Sequence, residues 1–299
     1  MKFGVREICD VVFKAKTSGN LGKYAYDVGQ PVLYIDSAKT STLEGAATTV
    51  YAQGGKGNSR LIAWEGEKTL TFTVEDALLS PAGFAILSGA GLLDASSNHK
   101  VYVHMTAIGN CSDGTIDLSG VLDEDITICS SQPVFVMTLD KDQSLTGDML
   151  QGFSVDSTGR KLTDGSNTTK AGATFTSGPV LVDFYVEKES NVQELVIDAE
   201  NFAGYYYVEA STLFRRQYDG KDLPAEIIFP NVKIQSNFTF NMAATGDPST
   251  FTFTMDAMPG KIATAADNKK VLCAIQIVND DLDNIEYNKT NDSITNNDI

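Results

Sequence analysis

Histidine is nearly absent from this chain of 299 residues: there are two, His99 and His104. On a strand a spacing of five sends them to opposite faces, so they are poorly placed to share a metal ion. No window approaches the 18 consecutive apolar residues of a membrane helix, and the opening MKFGVREICD lacks the apolar stretch of an export signal. A soluble protein made in the cytoplasm, with no membrane partner, is the expectation. The four cysteines, Cys9, Cys111, Cys129 and Cys273, lie far apart with no C-x-x-C pair, which argues against a zinc site or a disulfide scaffold and reads as free thiols, mostly buried in strands. Basic residues are scarce: 23 against 39 acidic ones, a net charge of −16. That balance argues against a general phosphate-binding surface, which works by releasing counterions to clustered Lys and Arg.

Signatures of catalysis are missing as well. There is no G-x-S-x-G elbow. Gln53-Gly54-Gly55-Lys56-Gly57-Asn58-Ser59 lacks the spacing of a phosphate loop and reads as a loop tip. Asp123-Glu124-Asp125 and Asn279-Asp280-Asp281-Leu282-Asp283 lack the register of a calcium loop and read as solvated turns. No catalytic residue, metal or cofactor is expected.

What the chain does have is alternation. Leu70, Phe72 and Val74 alternate with Thr69, Thr71 and Thr73, the pattern of a strand with one apolar face. Phe238, Phe240 and Met242 alternate with Asn237, Thr239 and Asn241, then Phe251, Phe253 and Met255 follow the turn Thr245-Gly246-Asp247-Pro248, which predicts a hairpin. Further strands are expected at Val11–Ala15, Val32–Ile35, Val101–Thr106, Pro133–Leu139, Val180–Val186, Tyr205–Leu213 and Val271–Val278. In Tyr205-Tyr206-Tyr207 the outer two rings share a face and the middle one opposes them, as in a sheet between a core and a neighbour. One helix is predicted over Glu75–Leu87, opening on acids and liable to division at Pro81 and Gly83.

Together these give a mainly β (α+β) fold: two packed antiparallel sheets, sandwich- or barrel-like, with one flanking helix. Residues 1–108 and 179–286 form a single discontinuous core on this reading. The segment 109–178, rich in Asp, Gly, Ser and Thr, reads as an inserted loop-rich β subdomain. Ser37–Asn58 is small and polar and reads as a long arm or loop between strands. Residues 287–299 read as a disordered acidic tail; the stretch from Asn279 carries six acids and one lysine.

Several of these stretches resemble one family. Asp10-Val11-Val12-Phe13, the polar arm, Trp64-Glu65-Gly66-Glu67-Lys68-Thr69-Leu70-Thr71-Phe72 and Leu87-Ser88-Gly89-Ala90 follow the strand, arm, strand and helix order of the major tail tube proteins of tailed bacteriophages. Gly204-Tyr205-Tyr206-Tyr207-Val208-Glu209-Ala210-Ser211-Thr212-Leu213-Phe214-Arg215, Gly220-Lys221-Asp222, Ile227-Ile228-Phe229-Pro230-Asn231-Val232-Lys233-Ile234 and Gly246-Asp247-Pro248-Ser249-Thr250-Phe251 resemble their closing strands. The likeness covers a little over half the chain, and 109–178 has no counterpart in the minimal fold.

The resemblance implies a virion subunit that forms hexameric rings, stacked through the arm into a conduit for genome ejection. It implies self-association, with tail sheath, baseplate and tape measure proteins as candidate partners, and DNA that passes without specific binding. Ser41, Thr42, Leu43, Glu44, Thr49, Tyr51, Gln53, Lys56 and Asn58 are then the stacking arm. Thr69, Thr71, Thr73, Asn237, Thr239 and Asn241 are the candidate lumen or subunit-contact face. Two other readings stay open: another virion protein of related fold (tail terminator, baseplate hub adaptor or capsid decoration), and a carbohydrate-binding or adhesin-like β module using Tyr24, Tyr26 and Tyr205–Tyr207.

Overall fold

A computed structural model describes residues 2–278, apart from 124–125, 164, 166–167, 171, 173, 240–241, 243, 246–248 and 263–268. Asn241, the Gly246-Asp247-Pro248 turn, Glu124, Asp125 and the acidic tail therefore lie outside the described residues. From the N-terminus the elements are β1 (Phe3–Val5), β2 (Asp10–Ala15), β3 (Gly19–Leu21), β4 (Tyr24–Tyr26), β5 (Pro31–Ile35), β6 (Ala38–Gly54), β7 (Ser59–Asp76), α1 (Pro81–Ser88) and β8 (Gly91–Asp94). There follow β9 (Val101–Ser112), β10 (Thr115–Asp117), β11 (Phe135–Leu139), β12 (Leu145–Leu150), β13 (Ser154–Val155), β14 (Lys161–Thr163) and β15 (Ser177–Lys188). The chain closes with β16 (Gln193–Val196), β17 (Tyr205–Arg216), β18 (Asp222–Ile234), β19 (Phe251–Ala257) and β20 (Ala274–Ile277).

The chain divides into two compact units, Met1–Leu92 with Leu195–Ile299, and Leu93–Glu194. In the first, strands run in the order β5-β2-β17-β18-β19-β7-β6, with β1 added to β17 and β20 to β18. Alternation fixes which face is buried. Val11, Phe13 and Ala15 of β2 point inward with Val208 and Ala210 of β17, Phe229 of β18, Phe253 and Met255 of β19, and Phe72 and Val74 of β7. Phe13 and Phe253 approach to 5.9 Å although β17 and β18 lie between their strands. In a flat sheet three strand spacings would hold them about 14 Å apart. The sheet must therefore curl around its own apolar face, which gives the fold its barrel-like character.

The helix α1 lies against this core through Ile86 and Leu87. It starts later than the acids suggest. Glu75 and Asp76 continue the alternation of β7, and Ser80 caps the helix by accepting from the Gly83 amide at 2.9 Å, with Pro81 in the first turn where its missing N–H costs nothing. Gly89 ends the helix at φ 75°, where a Cβ would sit 2.4 Å from the Phe202 carbonyl carbon. Among the described residues the hairpin expected at 237–255 is not seen. Asn237, Phe238 and Thr239 belong to no strand, because β19 pairs with β7 and β18 instead; Phe238 packs edge-on against Phe84, and Met242 is 92% exposed.

The second unit is wider than 109–178 and more regular than a loop-rich insertion. Its boundaries move outward because β9 and β15 pair without interruption from Ser112 opposite Ser177 to Val101 opposite Lys188. They centre a seven-stranded sheet, β12-β11-β15-β9-β10-β14-β13, over a core that includes Phe184, Val182, Ile116, Leu118 and Leu162. All four cysteines are free, and Cys9, Cys111 and Cys129 are buried. No helix among the described residues is long and apolar enough to cross a membrane.

Candidate assembly surface

The segment Ser37–Asn58 is not a loop. Ala38–Gly54 forms β6 and pairs antiparallel with β7, from Ala38 opposite Asp76 to Gly54 opposite Ser59, so the arm is a long hairpin. The threonines are β-branched and suit a strand, and the small residues pair beside them because Leu61-Ile62-Ala63-Trp64 supplies a regular partner. The tip demands left-handed backbone at Gly55 (φ 78°), Gly57 (φ 87°) and Asn58 (φ 49°), with the Asn58 amide donating to the Gly55 carbonyl at 3.2 Å. Register shifts between Ala47 and Thr49 and between Ala52 and Gln53 mark bulges. The first places Thr48 beside Gly66, its Oγ1 accepting from the Glu67 amide at 2.9 Å.

The hairpin has two parts. Ser41 and Leu43 belong to its base: Ser41 Oγ accepts from the Cys9 amide at 3.1 Å, and Leu43 and Leu70 pack on the core. Thr42 lies opposite Thr73 and Glu44 opposite Thr71. Thr49, Tyr51, Gln53, Lys56 and Asn58 belong to the outer part, where both strands are almost wholly exposed. Tyr51 lies under the Arg60 guanidinium at 4.1 Å, and Asn58 donates weakly to Gln53 at 3.4 Å. The most telling residues here are ones the sequence reading left out of the arm. Val50 pairs with Trp64 and Ala52 with Ile62, which sets them on one face; Val50 is 63%, Trp64 54%, Ile62 56% and the neighbouring Leu61 65% exposed. Their signal was the apolar run Leu61-Ile62-Ala63-Trp64, beyond the point where the small polar residues end.

The curled sheet also has an outer face, opposite Phe72 and Val74, to which Thr71 and Thr73 belong. A row crosses it from Glu44 through Thr71, Asp256 and Lys233 to Tyr205, with Thr71 Oγ1 donating to Asp256 at 3.2 Å. A second row runs from Asp10 through Ser211 and Glu226 to Gln276. Lys14 bridges to Glu209 at 2.5 Å. Partial burial pushes the Asp10 and Glu226 carboxyls above their ordinary range, helped by the charges of Asp36 and Glu209 respectively. Hydrogen bonds from Thr250 and Thr40 hold Glu75 below it. Thr69 is exposed at the edge of this region. Asn237 and Thr239 are exposed but stand outside the sheet, so they do not continue its threonine face. Tyr205 and Tyr207 carry Lys233 and Lys14 against their rings, and burial pushes the Tyr206 hydroxyl on the other face up to about 12.

Among the described residues no three His, Cys, Asp or Glu side chains converge as a metal site requires. His104 of β9 pairs with Asp183 of the neighbouring β15 at 3.1 Å, and His99, just before β9, lies 3.5 Å from Glu194 of β16.

No curated protein matches the chain. The sequence profile of the YomU/Tube protein family matches residues 23–270, which takes in the projecting hairpin, the helix, the second unit and β17 to β19. The match spans far more than half of the sequence and agrees with the tail-tube resemblance of its strands: the chain belongs to the YomU/Tube protein family, a family of phage tube-like proteins.

Proposed function

We propose that this protein is the repeating subunit of a phage tail tube, a structural rather than catalytic component that closes into hexameric rings and stacks them into a conduit for DNA. The observation that carries this reading is the outer half of the β6–β7 hairpin. Val50, Leu61, Ile62 and Trp64 are exposed there on two strands with no layer against them among the described residues. Apolar side chains grouped on a projecting ribbon favour a partner, since each contributes about 1.5–3 kcal/mol when fully buried. Membership of a tube family supports another copy of the chain as that partner.

The outer face of the sheet suits the second half of the proposal. Asp10, Glu44, Glu209, Glu226 and Asp256 share it with threonines, and Lys14 and Lys233 each lie beside an acid there. Turned toward a lumen, such a wall offers hydrogen-bonding groups but repels phosphates, so DNA would slide rather than adhere. The edge strands β5 and β6 leave backbone groups unpaired in a single subunit, and ring closure would cover them. Electron microscopy of the purified protein is the test. Rings or tubes, with roughly 2,000 Å² or more buried per subunit pair, are expected; a protein that stays monomeric at high concentration by sedimentation contradicts the proposal.

A further inference from the structure

One groove runs against the charge of the molecule. It lies between β1 and the β17–β18 end of the sheet, encloses about 590 Å³, and is lined by Lys2, Arg6, Arg215 and Arg216, with Glu7 and Asp222 as its acids. In a chain of net charge −16 this is an exception. Arg215 holds Asp222 through two bonds of 2.6 Å, and Arg216 holds Asp219. Lys2 and Arg6 have no carboxylate partner among the described residues. The groove also has an apolar strip, with Val5 63% and Leu213 41% exposed.

The described chain ends at the rim of this groove. β20 runs antiparallel to β18, with Ile277 opposite Ala225, and the Val278 amide donates to the Pro224 carbonyl at 2.9 Å. Asp222, which lines the groove, is two residues further along in that direction. Val278 lines an adjoining cleft of about 410 Å³ that shares Glu7 and Leu213 with the groove. The next residues are Asn279-Asp280-Asp281-Leu282-Asp283-Asn284-Ile285-Glu286, four acids and no cation, with two branched apolar residues among them. Eight residues reach up to about 28 Å, ample for a groove that begins beside them.

We propose that residues 279–286 occupy this groove in their own subunit, setting carboxylates against Lys2 and Arg6 and apolar side chains against Val5 and Leu213. The contact ties the end of the chain to β1, which pairs with β17 at three positions. It stands apart from the tube reading, since it needs no second subunit.

Hydrogen exchange on the full chain, compared with a chain ending at Val278, tests it. Loss of the segment should speed exchange at Val5–Glu7 and Gln217–Lys221 by about tenfold, since several partly exposed ion pairs and apolar contacts go together. Salt at about 0.5 M should speed it in the full chain, and a peptide of residues 279–299 at about 1 mM should restore protection to the shortened one. In the full chain Lys2→Glu with Arg6→Glu should act like the truncation, whereas Lys141→Glu in the second unit should not. Equal exchange in the full and shortened chains overturns the proposal. Protection that grows with protein concentration overturns it too, because the segment would then be reaching a second copy.

Discussion

Leu43, Leu70, Phe72 and Val74 at the base of the β6–β7 hairpin and Val50, Leu61, Ile62 and Trp64 in its outer half are the same kinds of residue on the same two strands. At the base, β19 lies beside β7 and the curled sheet closes over the apolar face, so Phe72 stacks on Phe229 at 5.0 Å and is 1% exposed. Farther out the partners stop while the apolar residues continue. The lesson is that apolar content in a ribbon reports that something will cover it, and only the neighbouring strands say whether the cover comes from the same chain.

The largest effect that would sharpen this contrast is at the base. Phe72→Ala should cost about 3–5 kcal/mol through lost burial and a cavity against Phe229, read as a lower denaturant midpoint. Replacing Thr49–Glu65 by a two-residue turn should shift stability by less than about 1 kcal/mol, because almost every side chain removed is exposed, yet should abolish elongation of tubes in electron micrographs. The excision must begin beyond Leu43. A cut starting at Ser41 would also remove the Cys9–Ser41 bond and the packing of Leu43, and so confuse a folding defect with an assembly defect.

Smaller effects probe the outer face of the sheet. Thr71→Lys should leave the subunit folded, within about 0.5 kcal/mol of the parent, since its side chain lies away from the core beside Asp256. Assembled tubes carrying it should retain DNA and slow ejection, and passage at the parental rate would remove this face from the lumen. The smallest effect expected is that of Glu226→Gln. The folded state raises this carboxyl through burial and the charge of Glu209, opposed by Lys14. It therefore binds protons more tightly than the unfolded chain, and its destabilising contribution is full above the folded value and vanishes below the ordinary carboxylate value. The substitution should raise the melting temperature slightly at pH 7, and the gain should fade as the pH drops through the carboxylate range.

Much of the core was legible because period-two alternation is a local signal: Val11 to Ala15, Leu70 to Val74 and Val180 to Val186 all bury the residues their pattern marks. Pairing was less legible, being a choice among partners. Phe251–Met255 alternates as predicted, but nothing local says that it will pair with β7 and not with the segment before it. The arm was found by its composition, but its two paired strands were not, since Ala and Gly are weak strand formers until a second strand is supplied. Its exposed apolar half was missed because an exposed Trp64 and a buried Phe72 look alike in sequence. The second unit looked irregular because its turns are rich in Asp and Gly, while β9 and β15 carried its regularity across the expected boundaries.

Trp64 is the only tryptophan in the chain, so one signal reports on the outer hairpin without ambiguity. Its fluorescence, followed as the purified protein is concentrated or brought to assembly conditions, tests directly whether the hairpin is covered by another copy. The account predicts a blue shift and loss of acrylamide quenching that rise together with the sedimentation of rings or tubes. Assembled particles in which Trp64 remains as red-shifted and as readily quenched as in the free subunit would contradict it.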